Sequence, residues 1–213
     1  MSKQIIIMPC PPGTKGVYSI GAVTEPLAFT LAGLDSLFLF QWTNLTHYAI
    51  LDYLDISVGV SGTITTAVVF GLELTVLRDF ADTPTMQRGR VLTPTFASTT
   101  ANNQKLKTDF EPSKVKDLRI AASTPLDVGS YTPDAFSIGQ VVFGTGTAVG
   151  TTALAKTILH DRATNFYPLV LNTNEGFMVN VPDGITGPVS AAGIANLRIS
   201  INARWLEITK QVF

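Results

Sequence analysis

The segment from Ala195 to Trp205 constrains this chain most. Ala195, Leu197, Ile199, Ile201, Ala203 and Trp205 alternate with Asn196, Arg198, Ser200, Asn202 and Arg204. Strict period-two alternation marks a strand with one face in a core and the other in water. A one-residue slip would expose Trp205 and bury Arg198 and Arg204, so the register is firmly specified. Comparable runs recur. Leu37 to Thr43 places Phe38, Phe40 and Trp42 on one face. Tyr48 to Val60 is apolar on both faces, as a central strand should be, and Ser61-Gly62 closes it. Ala67 to Leu77 sets Val68, Phe70, Leu72, Leu74 and Val76 against Glu73 and Thr75, and Val115 to Ala121 alternates again.

Shorter strands are expected at Val17 to Ala22, Ala153 to His160, Tyr167 to Leu171 and Phe177 to Val181. Asn172 to Gly176 reads as the turn that pairs the last two, with its glycine taking a positive φ. Leu27 to Leu34 has helical leucine spacing, weakened by Thr30 and Gly33. Asp79 to Gln104 reads as a long loop, and Gly144 to Gly150 as a flexible or closely packed connection. The phase shift near Leu206 predicts a β-bulge. The pattern predicts an all-β fold, an antiparallel β-sandwich with long loops and extended terminal arms. Residues 1–16 form the N-terminal arm and 17–213 a single β-sandwich domain.

Composition narrows the function. Hydrophobic residues make up 46% of the 213 positions and charged residues 15%, against about 25% charged in an average soluble protein. Mean hydropathy is +0.28. No apolar run approaches the ~18 residues of a membrane span, so the apolar excess belongs to the core or to contacts between subunits. A net charge of -1 argues against nucleic-acid binding. Cys10 is the only cysteine, so no internal disulfide forms, and cytosolic synthesis fits. The apolar run Ile5 to Met8 is too short for a signal-peptide core.

Candidate chemistry is sparse. His160-Asp161 resembles a base with an orienting carboxylate, but neighbours on a strand face opposite ways, so a surface or turn role is expected. Asp52 and Asp55 sit in an apolar strand, and their odd separation puts them on opposite faces. Asp79 and Asp82 with Thr83 lack a complete calcium loop. Gly144, Gly146 and Gly150 miss the dinucleotide spacing. Arg88, Arg90, Lys105, Lys107, Lys114, Lys116 and Arg119, interrupted by acids, read as a solvated face, with docking to an acidic protein surface as the alternative. Asn44-Leu45-Thr46 reads as a turn. No catalytic residue, cofactor or metal ligand is expected.

Four segments together resemble a family of small auxiliary virion proteins of tailed bacteriophages. They are FGLELTVLRDF (Phe70 to Phe80), LKTDFEPSKVKDLRIAASTPL (Leu106 to Leu126), YPLVLNTNEGFMV (Tyr167 to Val179) and RISINARWLEI (Arg198 to Ile208). The resemblance implies a jelly-roll-like sandwich that decorates or cements a capsid, often as a trimer. It names no functional residue. The expected partners are therefore the major capsid protein and copies of the chain itself, with no nucleic acid and no membrane. The expected location is the capsid surface of a virion. Ile5, Ile6, Ile7, Val212 and Phe213 lie near the chain ends, where burial in the chain's own core is least assured, and are the expected interface residues. A tail or fibre module contacting the host surface is the alternative.

Overall fold

The computed structural model describes residues 16–28, 31, 33–64, 68–80, 90–92, 95–96, 112–126, 132–153, 156–164, 168–182 and 195–210. In chain order the strands are β1 (Val17–Val23), β2 (Leu27–Ala28), β3 (Ser36–Trp42), β4 (His47–Ile64), β5 (Val68–Arg78), β6 (Arg90–Val91), β7 (Thr95–Phe96) and β8 (Asp117–Ile120). They continue as β9 (Thr132–Pro133), β10 (Gly139–Thr145), β11 (Ala148–Ala153), β12 (Thr157–Asp161), β13 (Leu169–Leu171), β14 (Glu175–Asn180) and β15 (Ala195–Thr209). The described residues hold no helix; the leucines of the ambiguous segment enter β2 at Leu27 and reach a left-handed turn at Leu34, φ 69°.

Two antiparallel sheets face each other. The first runs β11-β4-β15-β1-β7, with β12 and β13 continuing the pairing along β4 and β2 adding to β15. The second runs β10-β5-β14-β3-β8-β6, with β9 on β5. This order follows from one folded ribbon. An outgoing leg, β1, β3, β4 and β5, pairs with a returning leg read backwards: β15 on β1, β14 on β3, β11 to β13 on β4, and β10 on β5. Wrapping the ribbon brings β15 onto β4 and β14 onto β5, which closes both sheets. That is the jelly-roll arrangement, two sheets of Greek-key connections with little open edge. The expected sandwich is thus present, with the strand order of a jelly roll.

The core lies between the sheets. From the first come Leu54, Ile56, Val58, Leu197, Ile199, Ile201 and Trp205; from the second Phe38, Phe40, Trp42, Phe70, Leu72, Leu74 and Phe177, all buried. The rings of Phe40 and Phe177 stack at 4.9 Å, and Trp205 meets Phe40 edge-on at 5.2 Å. β3 and β14 are also buried on their outward side, at Leu37, Leu39, Gln41 and Met178. There Asp79, at φ 53°, turns the chain so that Phe80 lies back on β14. A Cβ at Gly176 would stand 2.3 Å from the Phe40 carbonyl oxygen and 3.1 Å from Phe80, so only glycine fits between those layers.

Several local expectations fail for identifiable reasons. β13 and β14 do not pair with each other: β13 joins β4 in one sheet and β14 joins β3 and β5 in the other, because the turn between them crosses the sandwich. The positive φ of that turn belongs to Asn174, at 62°, and not to Gly176. Ser61-Gly62 does not end β4, which runs to Ile64 paired with β11. Gly144 to Gly150 is chiefly strand, carrying the chain from β10 into β11. The bulge near Leu206 exists, but its extra residue is Asp52 on the partner strand. Trp205 pairs with Leu51 and Arg204 with Tyr53, so β15 keeps its phase and Leu206 turns outward into a small cluster with Val17 and Ile50.

Candidate assembly surfaces

The bulge decides what the outward side of the first sheet carries. On a regular strand Asp52 and Asp55 would face opposite ways. The extra residue turns Asp52 so that both reach outward partners, correcting the expectation from their spacing. The Asp52 carboxylate accepts Arg162 Nε at 2.7 Å and Arg204 Nε at 2.5 Å. The Asp55 carboxylate accepts Lys156 Nζ at 2.9 Å and Asn202 Nδ2 at 2.8 Å. The hydrogen bond from Lys156 to Asp55 raises the lysine pKa, and burial followed by Asp55 raises that of Tyr53. Each aspartate is therefore held as a cation partner, and the two do not form the acid–base pair that hydrolysis needs.

His160 is buried, against the expectation of a surface or turn role. Its Nε2–H donates to the Leu51 carbonyl at 3.2 Å, next to the bulge, and that acceptor assigns the proton to Nε2. β12 carries its own irregularity between Ile158 and His160, which swings the imidazole inward. Burial pushes its pKa below the usual 6.5, with the Leu51 bond opposing. The unfolded chain takes up the proton near pH 6.5 while the folded chain resists it, so the stability is intact above that value and is lost as pH falls toward the depressed folded pKa. Melting temperatures measured from pH 8 to pH 5 will fall more steeply for the natural chain than for His160→Gln; identical slopes would remove this role.

Elsewhere polar groups serve the fold. Glu207 accepts Ser113 Oγ at 2.6 Å, the Lys114 amide at 3.0 Å and the Trp205 indole N–H at 3.1 Å, which ties the chain before β8 across one end of the core. Arg78 bridges Asp134 at 2.9 Å and also pairs with Glu175; the Asp134 bond leads in raising its pKa. Asn44 Oδ1 accepts the amides of Thr46 and His47, each at 2.9 Å, making the expected turn and leaving Leu45 exposed. Arg119 pairs with Asp117 at 2.8 Å. Among the described residues no three His, Cys, Asp or Glu side chains gather as a metal group. Among the described residues no helix is long and apolar enough to cross a membrane.

What remains is apolar surface. Val69, Phe136, Ile138, Val142 and Ile158 are exposed, and all stand on or beside strands β5, β10 and β12. β10 and β12 meet where the two sheets come together: a Cβ on Gly139 would lie 2.2 Å from the Leu159 carbonyl oxygen, so glycine alone permits the approach. On the outward side of the first sheet Val17, Leu206 and Ile50 form a buried cross-strand row, which ends at the exposed Val170, 38% accessible. Sequence reasoning missed this surface, since alternation tells which residues share a face but not which face another layer covers. The expected interface residues Ile5, Ile6, Ile7, Val212 and Phe213 lie outside the described residues, as do Cys10, Asp82, Thr83, Arg88, Lys105 and Lys107.

No protein-family model matches the chain, and no curated protein does. Among solved structures, a chain of Turnip yellow mosaic virus is similar at 10% identity and TM-score 0.24, covering 100% of this chain and 92% of that one. A chain of Desmodium yellow mottle tymovirus is similar at 14% identity and TM-score 0.24, covering 100% and 93%. Superposition at that level carries no weight for function, and the jelly-roll assignment rests on the strand order itself.

Proposed function

We propose that this chain is a non-enzymatic structural virion protein that decorates and stabilises a tailed-phage capsid through protein–protein contacts. The observation that carries the reading is the contrast between the two kinds of surface. The outward carboxylates Asp52 and Asp55 are engaged with cations and a side-chain amide, while large apolar side chains stay in water on or beside β5, β10 and β12. Exposed apolar side chains on neighbouring strands suit burial against another protein at about 25 cal/mol per Å², less the cost of association. The jelly roll is an architecture of viral shells, shared with lectins and cupins, so it is compatible with this role without requiring it. The phage-family resemblance of the four segments between Phe70 and Ile208 supplies the shell as partner. Repetition around a symmetric shell would make modest contacts collectively strong.

The test is to add the purified chain to heads that lack it, then to image the particles and heat them. Regular occupancy on the head exterior, with genome release shifted to higher temperature, is the expected result. Density at the tail tip, or binding to host cells without binding to heads, would replace the reading with a receptor-contacting module. Deleting residues 2–8 and 211–213 together tests the arms separately: retained occupancy would show that the sheets and not the arms make the contact.

A further inference from the structure

The outward face of β5 and β10 carries a small pattern that points to its own partner. Across these strands Val69 pairs with Gly144 and Gly71 with Val142. The four positions share one face, because Phe70, Leu72 and Phe143 take the alternate positions and point into the core. The result is a two-by-two checkerboard of valines and glycines. Val69 is 66% exposed and Val142 62% exposed; Gly71 lies recessed between them, and Gly144 is open to solvent.

A checkerboard of this kind is complementary to itself. Rotation by half a turn about an axis parallel to the strands, midway between β5 and β10, exchanges the two columns and leaves the rows in place. Each valine then stands over a glycine of the other copy. The charges agree with the same operation. The next outward pair is Glu73 with Gln140, so the rotation lays each Glu73 over a neutral amide and sets no carboxylate against its twin. Glu73 is already fixed by a 2.9 Å bond from Asn180 Nδ2. Ile138, just before the start of β10, is also 41% exposed. Self-complementarity is the condition for an isologous two-fold contact, and sheets pack face to face about 10 Å apart with interdigitating side chains.

We propose that the β5–β10 face is a two-fold interface with a second copy of this chain, Val69 seating on the partner's Gly144 and Val142 on the partner's Gly71. The pairing needs no shell, so it stands or falls apart from the decoration reading. The experiment is sedimentation of the purified full chain from low micromolar to near-millimolar concentration, for the natural sequence, Val142→Lys and Gly144→Val. A reversible dimer is expected. Val142→Lys would bring two ammonium groups into the contact and weaken it by about tenfold or more.

Gly144→Val is the sharper arm. Within one chain the new Cβ meets nothing nearer than Val69 Cγ2 at 4.0 Å, so the fold accommodates it, while the recess for the partner's Val69 is filled. Seated knobs therefore predict weaker pairing from a more apolar surface, whereas indiscriminate stickiness predicts stronger pairing. In a Cys10→Ser background, Val69→Cys chains mixed with Gly144→Cys chains should be joined by a short bismaleimide, since positions facing each other across sheets about 10 Å apart lie beyond the reach of a direct disulfide. A monomer throughout the range, tighter association of Gly144→Val, or no bismaleimide-linked mixed dimer would each overturn the proposal. Unchanged melting of the variants is the control that they fold.

Discussion

Trp205→Ala will remove about 3–5 kcal/mol of stability, measured by urea unfolding at constant pH. Most small proteins hold only about 5–15 kcal/mol in total, so the variant will be close to unfolding at body temperature. The size of the effect follows from what the indole touches. It is fully buried, stacked on Tyr18 at 5.9 Å and set edge-on against Phe40 at 5.2 Å. Phe40 in turn stacks on Phe177, so one ring system joins β1 and β15 of the first sheet to β3 and β14 of the second. Truncation leaves a cavity lined by rings that are fixed by strand pairing and cannot collapse into it. Trp205→Phe separates packing from the polar contribution. It keeps a ring against Phe40 but loses the indole bond to Glu207, and should cost about 1–2 kcal/mol. An alanine variant within 1 kcal/mol of the natural chain, with an unchanged denaturant slope, would show that the ring cluster does not hold the sheets together.

Trp205 was also the residue most legible in the sequence, and the reason separates what could be read from what could not. Its strand alternates through six apolar positions, and one uninterrupted core face leaves one register. β3, β4 and β5 were legible in the same way, because each presents a full face to the core. The errors fall where a residue's direction depends on a neighbouring strand. Asp52 gives no local sign of being a bulge; its extra place exists only opposite Arg204 and Trp205. His160 reads as polar and solvated, yet the irregularity in β12 turns it onto the Leu51 carbonyl. Asn172 to Gly176 is a turn by composition, but composition cannot say whether the next strand returns to its own sheet or crosses to the other.

Glycine misled for the opposite reason. Gly144 signals looseness in a sequence, and in the fold it is a place within a strand pair where a side chain is missing. The jelly-roll order itself is nonlocal. Spacing foretold a sandwich, and only the family resemblance suggested how its strands would be arranged. The candidate surfaces were least legible, since Val69 and Val142 look like core residues until the layers on either side are known.

Removing the bulge carboxylate will have the other large effect, because Asp52 compensates a buried cation. Arg162 is only 8% exposed at its side chain, and its Nη1 has no hydrogen-bond partner among the described residues. Asp52 meets its Nε at 2.7 Å, and the backbone ties the same two residues, the Arg162 amide donating to the Asp52 carbonyl at 2.8 Å. Asp52→Ala leaves a guanidinium with neither water nor counter-charge and should cost about 3–5 kcal/mol. Arg204 shares the carboxylate but is 37% exposed, so Arg204→Ala should cost under about 1 kcal/mol. The decisive variant is the double one. Asp52→Leu with Arg162→Met replaces the buried pair by apolar groups, and its cost should fall well below the sum of the single changes. Additive losses, or an Asp52→Ala cost no greater than that of Arg204→Ala, would mean that the pair lies in a wetter site than its burial indicates. The comparison also bears on the fold, because β4 spends its extra residue where the carboxylate is needed. If the double variant keeps its stability, the bulge is set by the backbone pairing of β4 with β15 and β12; if it does not, the ion pair is what holds the bulge in place.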